Sequence, residues 1–86
     1  IFKSSIRRLI MSNEQTIYLS PLCDWRIVMC SKLWGVVGYE VEHKVTGFWQ
    51  TVYDGEFSLG ECFLYLNKKN IISKDEMKAE LGKWAK

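Results

Sequence analysis

Residues that could carry out catalysis are scarce in this chain. His43 is its only histidine, and its three cysteines include no C-x-x-C pair. A catalytic Cys–His pair usually needs a third group that orients the imidazole. Glu42 precedes His43 in a predicted strand, where neighbouring side chains point to opposite faces, so Glu42 is badly placed for that role. We therefore predict a protein that is not an enzyme, with a small enzyme using His43 as a remote alternative.

Metal and cofactor sites are equally poorly supported. One histidine and three scattered cysteines cannot supply the usual four-ligand zinc patterns. Asp54 and Glu56 flank a glycine, a spacing that turn formation explains better than metal binding. No glycine-rich phosphate loop or nucleotide fingerprint is present, so we predict no metal and no cofactor.

The cysteines, Cys23, Cys30 and Cys62, also bear on location. An odd number cannot form a complete set of intrachain disulfides, and unpaired cysteines are usually buried thiols in a reducing compartment. No apolar run approaches the length needed to span a membrane. We expect a cytoplasmic protein with no membrane partner.

The stretch "NKKNIISKDE", residues 67–76, separates two predicted helices and could be the turn of a DNA-reading helix-turn-helix. Such a motif lays the first turn of its second helix in the major groove. Here that turn carries Asp75 and Glu76, which suit the helix dipole but would repel phosphates. We interpret the pair as a packing αα-hairpin.

Alternating and capping patterns predict the elements that position these residues. Two capping boxes, Ser58 with Glu61 and Ser73 with Glu76, mark helix starts, and Asn70 suits a left-handed helix end. Short connections between alternating segments predict an antiparallel meander. The first predicted strand begins at 16 and ends at 20, and the following strands cover 25–31, 34–43 and 48–54. The predicted helices cover 59–69 and 74–85.

The predicted fold is α+β: a small antiparallel three- or four-stranded β-meander followed by a C-terminal αα-hairpin packed on one face. Residues 16–86 form the single domain, and residues 1–15 form an N-terminal arm. Residues 1–10 precede the methionine at position 11 and are read either as non-native sequence or as a helical arm.

The segment "YLNKKNIISKDEMKAELGKW", residues 65–84, resembles the helical pair of the short C-terminal domain family of bacterial proteins. The shared pattern is a leucine helix, a turn ending in two aliphatic residues and a serine, and an acidic start to the second helix. Gly82 departs from that pattern. The resemblance implies a helical pair here, and we carry no function over from it.

The aromatic residues suggest a binding surface. Two helices cover one sheet face, which alternation assigns to Phe48, Val52, Val37, Tyr39 and Val41. The other face would then carry Trp49, Thr51 and Tyr53, joined by Trp34 and Val36, with Glu40 and Glu42. A face this apolar favours a docking surface. The reverse phase, or an N-terminal arm lying across this face, would instead bury these rings.

These patterns favour a non-enzymatic protein-interaction or adaptor module, which uses an aromatic sheet face to form a homodimer or to bind another protein. Chains of this size and type are common among phage and mobile-element accessory proteins. The alternative is single-stranded nucleic-acid binding on the same face, although the net charge of +2 is mild. The candidate binding residues are Trp34, Trp49, Tyr53, Thr51, Arg26, Lys32 and Lys44.

Overall fold

A computed structural model of the protein describes residues 14–84. Four strands form one antiparallel sheet in the order β1-β2-β3-β4, and two helices follow. This confirms the predicted α+β fold, with four strands rather than three. Most of the predicted arm, residues 1–13, lies outside the described residues. The elements are β1 (Gln15–Leu19), β2 (Trp25–Leu33), β3 (Val36–Val45), β4 (Phe48–Asp54), α1 (Leu59–Lys68) and α2 (Lys74–Trp84).

The β2–β3 connection differs from the prediction. The strands extend to Leu33 and from Val36, so that the turn consists of Trp34 and Gly35 alone. Both residues have left-handed backbones, with φ of +51° and +81°. Two-residue hairpin turns favour this conformation because it matches the twist of the strands. The sequence pattern placed Trp34 at the start of a strand, whereas it occupies the hairpin tip.

Strand β4 contains an irregularity that changes its alternation. Val41 pairs with Tyr53, but the next residue of β3, Glu42, pairs with Thr51, which leaves Val52 as an extra residue. An inserted residue breaks the two-residue period of a strand. Thr51 and Tyr53 therefore point to opposite faces, and the expectation that they share one face is wrong.

The core lies between the sheet and the helices. Its fully buried members are Ile27 and Val41 from the sheet, and Cys62, Phe63 and Leu66 from α1, with Ile72 and Met77 alongside. Tyr39 and Val41 face the helices as predicted. Val37, Phe48 and Val52 were predicted beneath the helices as well but remain exposed, because the helices do not reach the ends and edge of the sheet.

The helix starts are built by the residues that the capping pattern indicates. Ser58 Oγ accepts a hydrogen bond from the Glu61 amide at 3.2 Å. Ser73 and Glu76 form the reciprocal pair, each side chain accepting from the other residue's amide at 3.1 and 3.3 Å. Asn70, after α1, has the predicted left-handed conformation, with φ of +63°.

Candidate functional site

The sheet face away from the helices, called here the outer face, carries Arg26, Glu42 and Trp49 side by side. Arg26 Nε donates to Glu42 Oε1 at 2.6 Å, and the guanidinium lies 4.2 Å from the centre of the Trp49 ring. Glu42 is completely buried. A guanidinium that is both ion-paired and stacked on an indole is held firmly, so Arg26 contributes to the structure of this face.

Lys32 forms a second ionic cluster at the other end of the outer face. Its Nζ donates to Glu40 Oε2 at 2.8 Å and to Asp54 Oδ1 at 2.7 Å. Burial alone would lower the pKa of Lys32, but the hydrogen bonds to Asp54 and Glu40 outweigh it and raise that pKa. Gly38 leaves space for this side chain, since a Cβ there would collide with Lys32 and with the Glu56 carbonyl.

The remaining charged and polar candidates divide between the two faces. Thr51 Oγ1 donates to Glu40 Oε1 at 3.3 Å, and exposed Lys44 places its Nζ 5.7 Å from the Trp49 ring centre, both on the outer face. Tyr53 instead faces the helices, stacks on Tyr65 with ring centres 4.7 Å apart, and donates to Glu61 Oε1. The seven candidates thus do not form one surface.

Trp34, the remaining candidate, lies apart from both clusters. Its side chain is 92% exposed at the β2–β3 tip, and the flanking Val36 and Val37 are also exposed. Trp34 is among the few residues other than glycine with a left-handed backbone in the described part of the chain. The tip therefore presents a large ring that the described fold leaves almost uncovered.

A separate shallow groove of about 490 Å³, which Ser58 also lines, lies on the helix face. Phe57 and Trp84, both substantially exposed, line it together with Tyr39, Leu59 and Leu81. The Tyr39 amide donates to the Glu56 carbonyl at 2.7 Å, which holds Phe57 beside β3. We call the set Trp34, Val36 and Val37 at the β2–β3 tip the apolar end.

Sequence reasoning missed Phe57 and Trp84 as surface residues. The hydrophobic-staple pattern predicts that Phe57 packs onto Cys62, and helical spacing places Trp84 on one stripe with Met77 and Leu81, whereas Phe57 and Trp84 are exposed. The available signal was the position of Trp84 in the last turn of its predicted helix.

The side chains of His43 and Cys62, which could take part in catalysis, pack against other residues of the fold. His43 stacks on Trp25, with ring centres 4.0 Å apart. Burial raises the pKa of the Cys62 thiol to about 12, which leaves it protonated at neutral pH. Within residues 14–84 no cluster of three His, Cys, Asp or Glu side chains is placed to hold a metal ion.

No family model, curated protein or solved structure matches this chain. The resemblance of residues 65–84 to the short C-terminal domain family therefore rests on the local pattern alone. Neither helix in the described part of the chain has the length and apolar character required to cross a membrane.

Proposed function

We propose that this chain is a non-enzymatic protein-interaction module that binds a protein partner through its apolar end. The observation that carries the proposal is the 92% exposure of Trp34 at the tip of a two-residue hairpin turn. Tryptophan is among the residues that most often dominate the binding energy of protein interfaces. An indole side chain also loses little conformational freedom on binding, because it has only two side-chain torsions to fix.

The surroundings of Trp34 extend this anchor into a patch. Val36 and Val37 lie beside it in the chain and are 52% and 44% exposed. Contiguous apolar surface of this kind is typical of sites that bind another protein. A partner with an apolar pocket that surrounds Trp34 fits this arrangement best.

The charge distribution favours a protein over single-stranded nucleic acid. Of the three cationic candidates, which would be the groups to meet phosphates, Arg26 and Lys32 are engaged by the buried carboxylates of Glu42 and Glu40. Phosphate binding would have to compete with these ion pairs, and nucleic-acid affinity depends mainly on such cations. The expectations of a cytoplasmic location and of a phage or mobile-element origin come from composition and size alone.

The proposal is tested by placing a photo-crosslinking phenylalanine derivative at position 34 in cells that make the protein. The matched control carries the derivative at position 22, because Leu22 is also exposed (85%) but lies in the β1–β2 turn at the opposite end of the sheet. We expect a protein adduct of defined mass from position 34 and none from position 22.

Two outcomes would contradict the proposal. Equal crosslinking from positions 34 and 22 would mean that the tip is ordinary surface. Nuclease-sensitive adducts at position 34, together with salt-dependent binding of a labelled oligothymidine, would establish the nucleic-acid alternative instead.

A further inference from the structure

Strand β4 forms one edge of the sheet in the described part of the chain. We propose that two copies of this chain pair antiparallel along β4, forming a continuous eight-stranded sheet across a two-fold axis. The inference uses a different surface from the apolar end and does not rest on the function proposed above.

The composition of β4 makes it suitable for such pairing. Edge strands that stay single are usually short, charged, bulged or interrupted by proline. The seven residues of β4, "FWQTVYD", contain no proline and no charge before Asp54 at the end. The opposite edge, β1, has only five residues and an irregularity at Ile17. Strand β4 also has one irregularity, the extra residue Val52, but its residues 48–51 pair with β3 in regular register, so it offers the longer uncharged edge.

The pattern of exposure along β4 selects a register. Among the first five residues of β4, the exposed side chains are Phe48, Gln50 and Val52. The less exposed Trp49 and Thr51 lie between them. An antiparallel pair centred on Gln50 sets Phe48 of one copy opposite the extra residue Val52 of the other. These apolar side chains are 73% and 39% exposed, so bringing them together reduces the apolar surface that meets water.

This register is also compatible at the axis itself. The two Gln50 side chains face each other there, and an amide can both donate and accept a hydrogen bond. No like charges meet, because residues 48–52 of both copies are uncharged. A two-fold contact uses the same patch on both copies and closes on itself, so the expected product is a dimer rather than a filament.

The test is the solution mass of the full chain, measured by light scattering over a range of concentrations. We expect a concentration-dependent rise from the 10.1 kDa monomer towards twice that mass. Gln50→Lys places two ammonium groups together at the axis, and we expect it to raise the dimer dissociation constant at least roughly tenfold. Phe48→Lys, which replaces a 73% exposed ring, is a second variant of the same type.

The matched control is Gln15→Lys, which adds the same charge at an exposed position of the other edge strand, β1. It should leave the dissociation constant unchanged. Circular dichroism establishes that each variant is folded. A monomer at every concentration would overturn the inference, as would a dimer that tolerates both Gln50→Lys and Phe48→Lys. A dimer lost on Trp34→Ala but retained in Gln50→Lys would move self-association to the apolar end and overturn pairing along β4.

Discussion

Trp34 combines two features that each cost free energy in the isolated chain. Its backbone is left-handed, a conformation in which the Cβ of an L-residue is crowded. Its indole is 92% exposed, so the ring gains little from packing within the described fold. Asparagine is the residue most often found before glycine in such turns. A tryptophan here is therefore explained by contact with another molecule better than by folding.

Replacing Trp34 with asparagine should stabilise the isolated protein. Trp34→Asn relieves the crowded left-handed backbone and removes little packing, and we expect the free energy of unfolding to rise by about 1 kcal/mol. Urea denaturation measures this change. Gly35→Ala, at φ of +81°, is the control and should destabilise by a similar amount. A destabilised Trp34→Asn variant would show that the ring packs within the fold.

Cys62 gives the stability a predictable pH dependence. Its pKa is raised by burial from 9.0 to about 12 in the folded protein. Between these values the unfolded chain loses the thiol proton while the folded chain keeps it, so the folded state binds more protons and stability falls as pH rises. The contribution of this group should fall by about 1.4 kcal/mol per pH unit in that window.

The difference in unfolding free energy between the native chain and Cys62→Ala isolates this contribution, because other groups that titrate at high pH are shared. The difference is largest below pH 9.0 and should shrink as pH rises. A difference that stays constant from pH 8 to pH 11 would mean that Cys62 titrates normally.

Among the elements, α2 depends most on its cap. Met77 is its one buried residue, whereas α1 buries Cys62, Phe63 and Leu66. A helix with little buried surface gains correspondingly little from packing. The reciprocal hydrogen bonds of Ser73 and Glu76 therefore make up a larger share of its stability than the Ser58 cap does for α1.

Removing that cap should loosen α2 before the rest of the protein. Ser73→Ala should cost about 1 kcal/mol and speed amide hydrogen exchange in α2, with β2 and β3 still protected. Lys78→Ala, an exposed change within the same helix, should stay within about 0.5 kcal/mol of the native chain. Equal exchange rates in Ser73→Ala and Lys78→Ala would show that α2 is held by packing alone.

The elements that local chemistry determines could be predicted from sequence. Capping boxes, Asn70 and short connections between alternating segments are signals within a few residues, and the helices and the meander followed them. Val52 was beyond such reasoning, because an extra residue in one strand is defined only by its pairing with another. That single residue moved Tyr53 to the helix face and divided the predicted binding surface.

The exposed surfaces follow from the relative lengths of the layers. A ten-residue strand such as β3 spans roughly 33 Å, whereas a ten-residue helix such as α1 spans only about 15 Å. The helices therefore cannot cover the sheet from end to end. The sequence predicted that the two helices leave aromatic surface of the sheet uncovered. It placed that surface on a sheet face, whereas the most exposed ring, Trp34, lies at the hairpin tip.

The apolar end and the β4 edge are separate surfaces, and a molecule with both could pair with itself and still present Trp34. The outer face between them is occupied by the Arg26–Glu42 and Lys32–Glu40 ion pairs. Binding chemistry is thus expected at the margins of the sheet rather than across it.

The most direct measurement is the affinity of the crosslinked partner for the native chain, Trp34→Ala and Leu22→Ala, obtained by titration calorimetry. Truncating a central anchor typically costs about 2 kcal/mol or more, so Trp34→Ala should weaken binding roughly 30-fold, while Leu22→Ala should change it less than about twofold. Unchanged affinity in a folded Trp34→Ala variant would contradict the claim that this ring is the anchor of a protein-binding surface.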